Sequence, residues 1–89
     1  MIYEWDERKR ASNLAKHGTD FSALEAFEWD SALIEPDDRR DYGEARFRAL
    51  GYIDGRLHFL AYTRRGWAIR VISLRKANDK EYEIYDGRR

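Results

Sequence analysis

The sequence predicts an α+β fold over residues 1–89: a small antiparallel sheet covered by two N-terminal helices and finished by a C-terminal helix. Three observations carry that expectation. Two capped, helix-periodic stretches precede residue 30; the apolar period changes to two from Glu44 onward, around an Asp-Gly hairpin signal; and a capping-box spacing begins at Asn78. The chain has 89 residues, 43% of them hydrophobic and 15% aromatic. That supplies one modest core, since domains usually run to about 100 residues or more.

Ile2-Tyr3-Glu4-Trp5 is aromatic and β-branched and reads as an opening strand. Asp6 is a good N-cap for a helix from Glu7 to His17, and Gly18 after Lys16-His17 fits a C-terminal stop with cations in the last turn. The apolar content of this helix is thin, with Ala11, Leu14 and Ala15 on one face, so it should lie on a surface. Asp20 caps a second helix from Phe21 to Trp29, in which Phe21, Leu24 and Phe27 or Glu28 fall at helical spacing and the Phe/Leu/Phe stripe faces the core. A short strand, Ala32 to Glu35, is stopped by Pro36, and the acidic stretch from Asp37 to Gly43 reads as an exposed loop.

Arg46 to Ile53, Arg56 to Thr63 and Trp67 to Arg75 form a three-stranded meander, joined by Asp54-Gly55 and by Arg64-Arg65-Gly66. Asn78 and Glu81 have capping-box spacing for a last helix through about Tyr85, with Asp86 to Arg89 as a frayed end.

The chain has no Cys, which rules out a disulfide framework and thiolate chemistry. The charged N-terminus lacks the apolar stretch of a signal peptide, and no run approaches the roughly 20 apolar residues of a membrane span, so a cytoplasmic protein with no membrane partner is expected. The net charge of +0 hides an asymmetry: residues 20–43 hold two Lys/Arg against eight Asp/Glu, and residues 44–76 hold eight against two. A local positive field attracts polyanions whatever the total, and Arg outnumbering Lys favours planar recognition of phosphate. The alternative is that the two blocks neutralise each other on folding.

No metal or other cofactor is expected. His17 and His58 sit on different elements without ligand spacing, and Asp37, Asp38 and Asp41 lack a full calcium-loop pattern. Glycine-rich phosphate loops, nucleophile elbows and dinucleotide fingerprints are absent as well. The chemistry that remains lies in Arg46, Arg48, Arg56, Arg70, Arg75 and Lys76 of the meander, with Tyr52, Tyr62 and Trp67 between them. Guanidiniums fork onto phosphate oxygens and aromatic faces stack unpaired bases, a mixture suited to single-stranded RNA. A salt-bridged solvent face has the same composition.

Strict alternation puts Trp67, Ile69, Val71, Ser73 and Arg75 on one face of the last strand and Ala68, Arg70, Ile72 and Leu74 on the other. Arg70 then sits among aliphatics, either paired with a carboxylate such as Glu44 or aimed into a cleft. RNA cleavage without a metal is chemically open to such a chain, because the 2′-hydroxyl is an internal nucleophile. Arg stabilises the phosphorane; Glu44, a Tyr or His17 carries the proton, and of these only His17 titrates near neutrality when unperturbed. His17 reads more readily as a residue bonding the last carbonyls of its helix, and His58 as a packed strand residue.

Five blocks carry a resemblance to a known family. They are Glu4-Trp5-Asp6; Asn13-Leu14-Ala15-Lys16-His17-Gly18 with Phe21; Gly43-Glu44 with Arg46-Phe47 and Ala49-Leu50-Gly51; Tyr62 to Gly66; and Arg70, Ile72-Ser73 and Arg75-Lys76-Ala77 with Glu81 and Tyr85. In this order they resemble the BrnT toxins of bacterial type II toxin–antitoxin systems. The resemblance implies a RelE-like fold, a ribonuclease activity that inhibits translation and growth, and a BrnA-like ribbon-helix-helix antitoxin in a 2:2 complex that touches DNA only through the antitoxin.

Carried onto the matching positions, the resemblance implies Arg70 and Arg75 for phosphate and transition-state charge, Glu44 or His17 for proton transfer, and Arg46 beside them. It also implies Lys16, Lys76, Ser73 and Tyr62 for RNA binding. Arg48, Leu74 and Tyr52 depart from the family's usual residues. A non-enzymatic module within an antitoxin-bound repressor is the competing reading.

Overall fold

In the computed structural model, which describes residues 1–88, the chain folds into five strands, β1 (Ile2–Glu4), β2 (Leu33–Pro36), β3 (Arg46–Ile53), β4 (Arg56–Arg65) and β5 (Ala68–Lys76), and two α-helices, α1 (Glu7–His17) and α2 (Asp79–Arg88). The strands form one sheet in the order β1-β5-β4-β3-β2. The three-stranded meander and its first turn are as read: Asp54 and Gly55 have φ of 49° and 80°, the left-handed pair that a type I′ hairpin needs. The second turn is Gly66-Trp67 rather than Arg64-Arg65-Gly66, because Arg65 still pairs with Ala68 and Trp67 lies outside β5. α2 opens on the expected capping box, in which Glu81 N–H donates to Asn78 Oδ1 and Asn78 N–H donates to Glu81 Oε1. The helix runs past Tyr85 to Arg88 instead of fraying there, and Arg89 lies outside the described residues.

The sheet is mixed, not antiparallel. β1 pairs in parallel with β5, Ile2 against Ala68 and Glu4 against Arg70. Local pattern says that residues 2–4 are extended but is silent on which edge they join. The segment expected as a second helix is a 3₁₀ segment, Phe21–Ala26, followed by a second short one, Trp29–Ser31. Asp20 caps it as expected, accepting from Ser22 N–H. The chain then turns extended at Phe27 to make a bridge to Ile53, which a continued α-helix would prevent.

The core lies on one face of the sheet, where Phe21, Leu24 and Phe27 meet Ala49, Ile53, Leu60, Tyr62, Ile69, Val71 and Leu74. Phe27 reaches β3 because Gly51 has no side chain: a Cβ there would overlap three Phe27 ring carbons, well inside van der Waals contact. α2 covers one end of the opposite face, packing Tyr85 and Ala77 on Leu50 and Leu57. The rest of that second face, the open face, carries no helix among the described residues.

α1 does not cover a sheet face. Its inward side is polar, Arg10, Asn13 and His17, while Ala11 and Ala15 are exposed and Leu14 is 40% exposed. A polar helix stripe gains nothing on an apolar sheet, but it can satisfy a strand edge. Beyond Arg70, β5 has no strand neighbour on its β1 side. There the buried Asn13 amide takes the place of one, donating to Leu74 O at 2.7 Å and accepting from Leu74 N–H at 3.2 Å, with a further donation to Thr19 O.

Candidate functional site

A bulge in β5 assembles the open face. Ala61 pairs with Ser73 and Tyr62 with Val71, so Ile72 is skipped and the alternation of β5 shifts by one residue. Leu74 thereby joins Ile69 and Val71 in the core. Arg70 and Arg75, which strict alternation sets on opposite faces, now project from the same one.

The pairing register then orders the residues in rows across the open face. Glu4, Arg70, Thr63 and Arg46 are successive cross-strand neighbours, then Ser73, Ala61, Arg48 and Glu35, then Arg75, Phe59, Leu50 and Leu33. Thr63 and Ala61 are small, so the middle strand forms a low floor between arginines on β3 and β5.

Each of these guanidiniums is held by a carboxylate. Arg46 Nε lies 3.2 Å from Glu44, Arg48 Nη2 3.6 Å from Glu35 and Arg70 Nη1 3.4 Å from Glu4. Arg75 makes a bidentate pair with Glu81, both bonds 2.8 Å, and lies over the Phe59 ring with its Cζ 4.4 Å from the centroid. Arg46 stacks likewise on Tyr42, 4.1 Å from its centroid. The side chains keep 28–34% of their surface exposed. A planar cation stacked on a ring and pinned from one side is preorganised to offer its remaining N–H groups outward.

Arg48, Phe59, Arg75 and Glu81 line a pocket of about 220 Å³ with Arg39 and Leu33. Arg39 reaches it from the acidic loop, where it forks onto Asp37 at 2.8 Å. Asp37 is buried rather than exposed as expected for that loop, and the Arg39 guanidinium holds its carboxyl down at about 2. Across the β5 edge, Lys16, His17, Asn13 and Ser73 line a second groove of about 340 Å³. Partial burial pushes the His17 imidazole below its ordinary value, and the charges of Lys16 and Arg75 push it the same way. His17 is therefore neutral near pH 7 and able to accept a proton.

The structure thus brings together Arg46, Glu44, Arg70, Ser73 and Arg75, with His17 and Lys16 at the β5 margin. Glu4, not Glu44, is the partner of Arg70. Two candidates stand apart. Tyr62 is 3% exposed and packs in the core on Phe47 and Trp29, so it has no free ring face for a base. Lys76 pairs in register with His58, on the face opposite Arg75. His58 is a packed strand residue, its Nδ1 2.8 Å from Arg56 O and its pKa lowered by burial.

Sequence reasoning missed the part played by Asn13, whose signal is a short amide in the centre of a helix with little apolar surface. It also missed Glu35, the partner that ties Arg48 to the face. Among the described residues no group of three His, Cys, Asp or Glu side chains is placed to hold a metal ion, and no helix is long and apolar enough to cross a membrane.

Fold and face together define a small α+β protein with an arginine-lined, partly open sheet surface. Comparison with known proteins gives the family. A model described as the ribonuclease toxin, BrnT, of type II toxin–antitoxin systems matches residues 5–81, and the chain belongs to that family. No curated protein matches it.

Proposed function

We propose that the open face is the active surface of a metal-independent, RelE-like ribonuclease. In this reading Arg70 and Arg75 bind the scissile phosphate, Arg46 and Lys16 hold flanking backbone, and His17 or Glu44 carries the proton. The observation that supports it is the arrangement itself: Arg46, Arg48, Arg70 and Arg75 surround a floor of small residues on one uncovered part of the sheet, and a neutral imidazole stands at its edge.

The reaction needs three services. The 2′-oxygen attacks the adjacent phosphorus as its proton passes to the base; the O2′–P bond forms, the P–O5′ bond breaks, and the leaving alkoxide takes a proton. The products are a 2′,3′-cyclic phosphate and a 5′-hydroxyl. Charge on the phosphorane is what fixed guanidiniums stabilise best, because they need no reorganisation at the moment of reaction. They also supply the positive charge for which other nucleases employ a metal, and Glu4, Glu35, Glu44 and Glu81 are each engaged by an arginine.

Substrate phosphates must displace part of this carboxylate pairing. The same holds for a neutralising partner, which in this reading is a BrnA-like ribbon-helix-helix antitoxin in a 2:2 complex, with DNA bound through the antitoxin and both proteins in the cytoplasm.

The test is antitoxin-free protein incubated with RNA in excess chelator. The parent should cleave and leave 2′,3′-cyclic ends, and Arg70→Ala should lose about 100-fold or more of the rate, as loss of a transition-state charge contact does. Arg75→Lys keeps a charge near Glu81 but not the fork, and should fall almost as far. Parent-like cleavage by both variants, or loss of cleavage on chelation, sinks the proposal. A chain that represses with its partner yet never cleaves RNA would support the non-enzymatic module instead.

A further inference from the structure

We propose that the tip of the β4–β5 hairpin, Arg64-Arg65-Gly66-Trp67, is a second contact for single-stranded RNA, with a base stacked on Trp67 and its phosphate on Arg65. This deepens the reading above and rests on it. Trp67 is 91% exposed, whereas the chain's other indoles are engaged: Trp5 packs edge-on to Phe21 and donates to Glu7, and Trp29 lies between Phe27 and Tyr62 and donates to Tyr3. Lone exposed apolar residues are common on proteins. Three further features set this one apart.

The first is charge. Every arginine of the open face is tied to a carboxylate, and Arg56 donates to Ala77 O, but Arg64 and Arg65 take part in no ion pair among the described residues. Two unneutralised guanidiniums beside a bare indole suit an anion with a π-face, which is the chemistry of an unpaired nucleotide.

The second is position. β3 ends its pairing with β4 at Arg46 and Thr63, so the Arg64–Ile69 and Arg65–Ala68 pairs extend beyond it. Alternation along β4 sets Arg65 on the same face as Thr63, one side-chain repeat on, about 7 Å. Arg65 therefore continues the open face past Arg70 and Arg46, along the path by which an extended strand would leave the floor.

The third is rigidity. Gly66 has φ of 58° while Trp67 is not in the left-handed region, the pattern of a type II′ turn with Gly at its first central position. Such a two-residue turn places the indole at the apex without a flexible loop, which reduces the ordering cost of binding. Duplex RNA hides its base faces, so the ligand is single-stranded.

The experiment titrates the full chain with a short single-stranded 2′-O-methyl oligoribonucleotide, which cannot be cleaved, and reads fluorescence anisotropy. Trp67→Ala should weaken binding about 5- to 150-fold, the range for loss of one base stack, and Trp67→Phe should keep most of the affinity. Arg65→Ala should reduce the salt slope of log affinity by about 0.7, one phosphate contact. If Trp67→Ala binds the oligonucleotide as the parent does, the hairpin contact is overturned even though the parent cleaves RNA. If Trp67→Ala binds RNA normally but escapes antitoxin, the tip is a protein contact and the proposal is likewise overturned. A parent that binds no RNA at all overturns the active-surface reading, a distinct result from either.

Discussion

Replacing Asn13 should remove the side chain that stands in for a strand neighbour along β5. The side chain is 6% exposed and serves three backbone groups: it donates to Leu74 O and Thr19 O and accepts from Leu74 N–H. Asn13→Ala orphans all three, and a buried backbone group without a partner costs about 1–3 kcal/mol. Water entering from the groove beside Lys16 and Ser73 recovers part of that. The better helix propensity of Ala returns up to about 0.7 kcal/mol. The net expectation is a loss of about 2–4 kcal/mol, or roughly 10–25 °C in Tm for a domain of this size.

Asn13→Asp should be at least as harmful, because a carboxylate keeps only the Leu74 N–H bond and faces two carbonyl oxygens. The assay is thermal unfolding together with amide hydrogen exchange, read at Leu74. If Asn13→Ala loses less than about 1 kcal/mol and the Leu74 amide remains protected, α1 is held to β5 by something other than this amide.

Two other perturbations test the same packing logic at different places. Gly51→Ala drives a methyl into the Phe27 ring inside the core and should lower stability by about 1–3 kcal/mol in urea unfolding; a double variant with Phe27→Leu should recover part of it, and no recovery would show that the clash is not the cause. Asp37 ionises at about 2 in the folded chain against an ordinary 3.8. A depressed acid stabilises the fold above its unfolded value, and that contribution disappears as pH falls from 3.8 toward 2. With its Arg39 partner largely solvated the contribution is about 1–2 kcal/mol. Asp37→Asn should lower stability at neutral pH by that amount and flatten the acid limb of the stability curve; an unchanged limb would contradict the assignment.

The carboxylate tethers also bear on how the arginines of the open face are held. Four ion pairs at this exposure contribute little to stability individually, on the order of 0–1 kcal/mol each. Their larger effect is to hold the guanidiniums in place and, if the face binds phosphate as proposed, to set a threshold that the phosphate must exceed. Arg75 has the strongest tether, a bidentate bond to a residue that also caps α2, so the docking of α2 and the freedom of Arg75 are coupled through Glu81.

Local chemistry was sufficient for much of this protein. Asp6 and Gly18 bracket α1, Asp54-Gly55 sets the first hairpin, Asn78 and Glu81 open α2, and Phe21, Leu24 and Phe27 lie in the core, because caps, turns and apolar spacing act over a few residues. The family blocks are likewise written in the chain, and residues 5–81 carry the match.

What depended on tertiary structure is everything set by long-range pairing. β1 chose a parallel place beside β5, Phe27 left its helical stripe to bridge Ile53, and α1 turned its polar side inward to complete a strand edge through Asn13. The decisive case is the bulge at Ile72. Alternation read from the chain parts Arg70 from Arg75; one extra residue in β5 reverses the parity between them and unites the two guanidiniums on one face. A bulge exists only relative to a partner strand, so this part of the candidate site arises when β4 and β5 pair.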